Sequence, residues 1–192
     1  MKLVLASNSK GRKEVLDRAG LIYEVMPSNI EEHSDKKDPK EYVMDLSKQK
    51  AEAVAKNLKE CVILSADSII YTDDKKLEKP KTIEEAKKMM KILSGRINYA
   101  VTGVTIIDLY QNKTLTFSET TNVYFDELDD EEISWYVENE KYILERCGYS
   151  IAGKSAIFIS KIDGDYYNIL GMPISRVYKE LKKLGYKISD FK

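Results

Sequence analysis

The sequence predicts an α/β domain: a mixed β-sheet with helices on its flanks. Three observations carry this. Apolar strand-like segments alternate with amphipathic helical ones through the first half of the 192-residue chain. Two long β-rich runs around the turn "QNKT" read as a hairpin in the middle. No linker, repeat or low-complexity stretch breaks the chain, so a single domain over 1–192 is expected.

The elements follow in order. Residues 2–6 read as a short buried strand. A helix is expected from Lys10 to Ala19, with Val15, Leu16 and Ala19 on one face and Gly20 as its stop. "LIYEVMP" reads as a second strand, followed by a polar loop over 28–37. Asp38-Pro39-x-Glu41 opens a long helix with an N-cap, a proline at the first position and a glutamate three residues past the cap. Its apolar stripe runs through Val43, Leu46, Val54 and Leu58.

"VILSADSIIY" reads as an apolar strand with a polar centre, and "TDDKK" as a turn. Thr82-x-x-Glu85 caps a helix that ends at Gly95. "YAVTGVTIIDLY" and "LTFSETTNVYF" form the hairpin strands. Asp129-x-x-Glu132 caps a helix carrying Trp135. "SAIFISKI" reads as a strand, "DGD" as a turn, and Pro173 starts a last helix that ends at Gly185.

Composition narrows the function classes. The 31 basic and 32 acidic residues give no global field for nucleic acid or a membrane surface, so an anion site must be local. Cys61 and Cys147 have no closely spaced partner, which points to a reducing compartment. "LVLA" is too short for a signal-peptide core, and no stretch approaches a membrane span. Cytoplasmic localisation is expected. His33 is the sole histidine and lies in a charged loop, which argues against a Ser-His-Asp triad and against a zinc site.

The stretch "LASNSKGRKEVL" is the first candidate site. A helix N-terminus offers unpaired N–H groups and partial positive charge, a seat for phosphate. Ser7, Asn8 and Ser9 add side-chain hydrogen-bonding groups, and Gly11 permits close backbone approach. Lys10, Arg12 and Lys13 bring positive charge to a helix start, where it opposes the dipole unless an anion binds. The alternative is a serine cap with solvated cations. The Walker A and dinucleotide glycine spacings are both absent.

Asp67 is the second candidate. A carboxylate in an apolar strand must be paired, metal-bound or shifted in pKa. It suits a general base or a metal ligand, or is satisfied by backbone amides, Ser65 or Ser68. Glu31 and Glu32 sit in the polar loop, where carboxylates can hold Mg²⁺ together with substrate phosphates, or are simply solvated. Judged alone, Lys50 and Lys79 read as surface lysines.

Taken together, "LASNSKGRKEVL", "VILSADSIIY", "LEKPKTIEEAKKMMKILSGR", "VTGV", "GYSIAGKSA" and "GDYYNILGMP" resemble six motifs of the Maf family, in order, over roughly 2–184. The resemblance implies a fold shared with the inosine triphosphatases. It also implies a house-cleaning nucleoside triphosphate pyrophosphatase that cuts between the α- and β-phosphates, releasing a nucleoside monophosphate and pyrophosphate. The substrate would be a non-canonical, modified or pyrimidine nucleotide. A divalent metal is implied, Mg²⁺, Mn²⁺ or Co²⁺, and a homodimer is common in the family.

Carried onto this chain, Ser7, Ser9 and Arg12 would hold phosphate, with Asn8, Lys10 and Lys13 beside them. Lys50 and Lys79 would neutralise the triphosphate. Asp67 would act as acid/base residue or metal ligand, and Glu32 would help hold metal. Two departures stand out. Lys10 and Gly11 replace a proline and a first arginine, and Ala152 replaces a glutamine before Gly153. The family's link to septum formation supplies an alternative, a non-catalytic nucleotide-binding regulator.

Overall fold

A computed structural model describes residues 1–73, 76–141, 143–145 and 147–191. The elements in chain order are β1 (Leu3–Leu5), α1 (Lys10–Arg18), β2 (Glu24–Val25), α2 (Pro39–Ala55), β3 (Val62–Tyr71) and β4 (Lys76–Leu77). They continue with α3 (Ile83–Leu93), β5 (Ile97–Asp108), β6 (Lys113–Phe125), α4 (Asp130–Asn139), β7 (Ile159–Asp163), α5 (Tyr166–Ile169) and α6 (Ile174–Lys183).

The strands form a 7-stranded sheet in the order β2-β1-β3-β5-β6-β7, with β4 paired to β3. β1 runs parallel to both β2 and β3, whereas β4 and β7 pair antiparallel with β3 and β6. The expected mixed sheet with flanking helices is therefore present.

The chain groups into two compact units. The first holds Met1–Ser68, Val101–Glu119 and Tyr166–Lys192; the second holds Ile69–Ala100 and Thr120–Asp165. In the first unit, α2 lays Val43, Leu46, Ala51 and Val54 onto the sheet. Ala51 and Val54 join Val4, Ala6, Cys61, Ile63 and Ile107 in one apolar cluster. Two contacts fix how α2 is seated. The Ser47 hydroxyl lies 2.9 Å from that of Thr105. A Cβ on Gly103 would come within 2.3 Å of the Val43 backbone, so only glycine fits there.

In the second unit, α3 buries Ala86, Met89, Met90 and Leu93. The Tyr149 hydroxyl donates to Asn98 (2.8 Å), whose amide donates to the Val123 carbonyl (3.1 Å). Asp129 and Glu132 form the full expected capping box on α4.

The structure corrects four expectations. β2 shrinks to Glu24–Val25 because the chain before it bonds elsewhere: the Ile22 N–H donates to the Phe191 carbonyl at 2.8 Å. α1 stops at Arg18 and Ala19 is exposed, because Gly20 turns the chain at φ +69. "SAIFISKI" is strand only from Ile159. Residues Lys154–Ile157 form a 3₁₀ turn, held by the Ser155 hydroxyl donating to the Ser150 carbonyl and by the Phe158 N–H donating to the Ser155 carbonyl. Leu58 lies beyond the end of α2. The turn expected at "TDDKK" falls partly outside the described residues.

Candidate functional site

The first unit gathers most of the candidate residues just after β1 and around the middle of β3. The buried run that begins with β1 extends through Ala6 and Ser7, and the chain then turns into α1. The Ser9 hydroxyl caps α1 by accepting the Arg12 N–H (3.5 Å), and the Ser7 hydroxyl accepts the Ser9 N–H (3.2 Å). Both serines are therefore helix-start residues whatever else they do.

Arg12 is not a solvated cation. It is 9% exposed, a position the sequence alone gave no reason to expect. Its Nε donates to the Gly171 carbonyl (3.2 Å), Nη1 to the Ser7 hydroxyl (2.9 Å) and Nη2 to the Ser68 hydroxyl (3.3 Å). All three partners are neutral. Burial pulls the guanidinium pKa down from its usual value, and the negative charges of Asp67 and Glu32 oppose that fall. A guanidinium has five N–H groups, so one remains on each terminal nitrogen. That is the number a bidentate phosphate contact takes.

The second cluster centres on Lys50. Judged alone it reads as a surface lysine; the structure buries it at 8% exposure. The missed signal is periodicity. Lys50 falls four residues after Leu46 and four before Val54, inside the stripe α2 turns to the sheet. Its Nζ lies 2.6 Å from Asp67 Oδ1 and 2.9 Å from Glu32 Oε2. Asp67 is thus satisfied by a lysine rather than by Ser65 or Ser68. The Ser65 hydroxyl is buried without a hydrogen-bond partner among the described residues, and Ser68 serves Arg12.

The clusters meet around a cavity of about 240 Å³ lined by Ser7, Asn8, Glu32, Lys50 and the loop Pro27, Ser28, Asn29 and Ile30. Ser7 lies in that lining and also accepts from Arg12; Lys50 lies in it and also holds Asp67. The loop is the part that sequence reasoning left unassigned. Its one local sign is Asn29, an asparagine at φ +48.

Other candidates stand apart. Lys10 is exposed and Lys13 half-buried, and neither lines this cavity. Glu31 is exposed in the loop after β2. Lys79 is exposed in the second unit, between β4 and α3. His33 is exposed and paired with Asp35 at 3.0 Å. Ala152 is exposed, in the second unit. Gly11 has a structural cause: a Cβ there would lie 2.7 Å from the Leu170 carbonyl oxygen, so an arginine at this position would collide with backbone.

The fit to a divalent cation rests on the donor set. Asp67 and Glu32 already converge on one positive centre with oxygen donors, the ligand type that Mg²⁺ and Mn²⁺ take together with substrate phosphates. Among the described residues no group of three or more His, Cys, Asp or Glu side chains is placed to hold a metal.

Geometry defines the class: an α/β protein that buries a guanidinium among neutral partners and, near it, an ammonium between two carboxylates, an arrangement suited to a polyanion. The family follows from sequence. The model of the family described as Maf-like protein matches residues 2–184, and the chain belongs to that family. Relatives agree over nearly their full length. The dTTP/UTP pyrophosphatase of Carboxydothermus hydrogenoformans is 41% identical over 186 residues, covering 97% of this chain and 100% of the relative. That of Thermoanaerobacter pseudethanolicus is 44% identical over 184 residues, covering 95% and 96%. The solved Ham1 protein of Staphylococcus aureus is 17% identical, with a TM-score of 0.44 over 65% of this chain and 72% of that one.

Proposed function

We propose that this protein is a nucleoside triphosphate pyrophosphatase that hydrolyses thymidine or uridine triphosphates to the monophosphate and pyrophosphate. The enzyme class is supported by family membership over 2–184 and by relatives more than 40% identical that bear this activity in their names. The pyrimidine preference is supported by the same names. The observation that carries the site is Lys50, buried between Asp67 and Glu32 at the edge of a cavity that Ser7 also lines.

Phosphoryl chemistry needs positioning and charge neutralisation above all. Arg12 holds phosphate oxygens with the N–H groups its neighbours leave over. Ser7 and Asn8 contribute side-chain hydrogen bonds along the same wall. Lys50 offers its ammonium to the polyphosphate; for Lys79 the support is the family resemblance alone. Asp67 accepts a proton from the attacking water at its carboxylate oxygen. Asp67 and Glu32 are the residues that would hold a divalent cation. Bound there, that ion would neutralise phosphate charge and lower the pKa of a coordinated water. Among the described residues no helix is long and apolar enough to cross a membrane.

The test is pyrophosphate release from dTTP and UTP with Mg²⁺ or Mn²⁺, for wild type and Asp67→Asn. Wild type releases pyrophosphate rather than orthophosphate. The variant keeps its melting temperature within a few degrees and loses about 10²–10⁴-fold in turnover. A wild-type protein that binds nucleotide and releases nothing is a regulator instead. An Asp67→Asn enzyme with normal turnover removes Asp67 from the chemistry.

A further inference from the structure

Arg12 is buried among neutral groups, and among the described residues no carboxylate lies within ion-pair distance of it. Its orientation therefore depends on what its three hydrogen bonds are attached to. Two of them lead into one circuit. The Ser68 hydroxyl, which accepts from Nη2, lies 3.0 Å from the Thr102 hydroxyl. Thr102 in turn donates to the Asn168 carbonyl at 3.2 Å. That carbonyl also accepts the Gly171 N–H at 2.9 Å. The Gly171 carbonyl accepts from Arg12 Nε, which closes the ring.

Chemistry fixes the direction of every proton in it. A guanidinium only donates and a carbonyl only accepts. Thr102 has one hydroxyl proton, and it goes to the Asn168 carbonyl. The proton between Ser68 and Thr102 is therefore that of Ser68. Ser68 thus presents lone pairs, never its proton, to Arg12. Chains of this kind polarise one another in a low-dielectric setting.

Sterics close the same circuit. Gly171 sits at φ +89, and a Cβ on it would stand 3.2 Å from the Ser68 hydroxyl and 3.5 Å from Arg12 Nε. Thr102 is fully buried and belongs to "VTGV"; Asn168 and Gly171 belong to "GDYYNILGMP". These motifs, together with the serine after Asp67, converge on one guanidinium.

We propose that Ser68 and Thr102 are positioning residues for substrate phosphate, acting through Arg12, and that the 168–171 turn closes their circuit. The hydroxyl pair holds the guanidinium plane so that its remaining N–H groups present a ready fork to a phosphate. The proposal rests on the reading of Arg12 as a phosphate ligand, and its test separates the two.

The probe is inorganic tripolyphosphate, titrated calorimetrically into the full chain in metal-free buffer. Ser68→Ala weakens binding about tenfold, the size expected for loosening a charge-assisted contact. Ser68→Thr, which keeps the hydroxyl, stays near wild type. In an Arg12→Ala background, Ser68→Ala adds less than about twofold, because its effect passes through Arg12. Thr102→Val, of similar shape, gives the same pattern and replaces Ser68→Ala should that variant misfold. In nitrogen NMR the terminal Arg12 resonances, resolved in wild type by restricted rotation, merge in Ser68→Ala.

Three results overturn the proposal. If Arg12→Ala loses binding and neither hydroxyl variant does, the circuit has no such role while the phosphate reading stands. If Ser68→Ala costs the same tenfold without Arg12, Ser68 acts directly on the ligand. If Arg12→Ala binds like wild type, the phosphate reading of Arg12 falls and the proposal falls with it.

Discussion

Replacing Lys50 by methionine keeps the stem and deletes the charge that Asp67 and Glu32 share. Its stability cost follows from the two contacts. The Asp67 side chain is 13% exposed and its partner 10%, so breaking this pair strands a largely buried carboxylate, which costs about 3–5 kcal/mol where burial is complete. Asp67 keeps some water, which brings the figure to about 2–4 kcal/mol. Glu32 is 39% exposed, and solvent reduces its loss to under about 1 kcal/mol. For a chain of this size each kcal/mol moves the melting temperature by about 2–4 °C, so a loss of about 3 kcal/mol lowers it by about 6–12 °C. Calorimetry and urea unfolding of Lys50→Met measure this directly. Adding Asp67→Asn removes the stranded charge, so the double variant recovers a large part of the loss. A Lys50→Met protein within about 0.5 kcal/mol of wild type refutes the reasoning. So does a double variant whose cost is the sum of the two single ones.

Other outcomes follow from the same structure. Gly11→Ala puts a methyl 2.7 Å from the Leu170 carbonyl and destabilises by about 1–3 kcal/mol in urea, although alanine is the better helix former. Lys79→Ala, at an exposed position, leaves stability within about 0.5 kcal/mol but lowers kcat/KM for the triphosphate by about tenfold or more, read by steady-state kinetics. Tyr23 and Tyr186 are pushed up to about 12, first by burial and then by their bonds to Asp17 and Asp108. Their folded pKa exceeds the unfolded value, so their contribution is intact below about pH 10 and disappears as pH rises toward about 12. Urea midpoints taken across that window fall steeply in wild type and less so in Tyr186→Phe, where the 2.7 Å bond to Asp108 is already gone.

Local rules made much of the fold legible. Asp38, Thr82 and Asp129 cap helices because a short polar side chain before an apolar period has few other uses. β3 spans the whole of "VILSADSIIY", since no glycine or proline interrupts it. Non-local contacts were not legible. Arg12 looks solvated in any short window, because the residues that enclose it arrive from Ser68 and from Gly171, at the far end of the chain. Asp67 announced a partner without naming it. Lys50 looked ordinary only because its charge was weighed before its place in the α2 stripe. Lys79 resists both approaches: an exposed lysine before a proline has no local feature that distinguishes it, and only the resemblance raises it.

The close seating of α2 against Gly103 and Thr105 constrains how lineages of this protein can change in length. Val43, Ser47 and Lys50 lie along one face, and each residue inserted or deleted between them turns the rest of the helix by about 100°. One such event in this seven-residue interval would swing the ammonium away from both carboxylates while leaving every other side chain chemically intact. The exposed letters of this segment are free to drift, but their number is not. The polar loop just upstream shares the constraint, because Glu32 within it must stay 2.9 Å from the same ammonium.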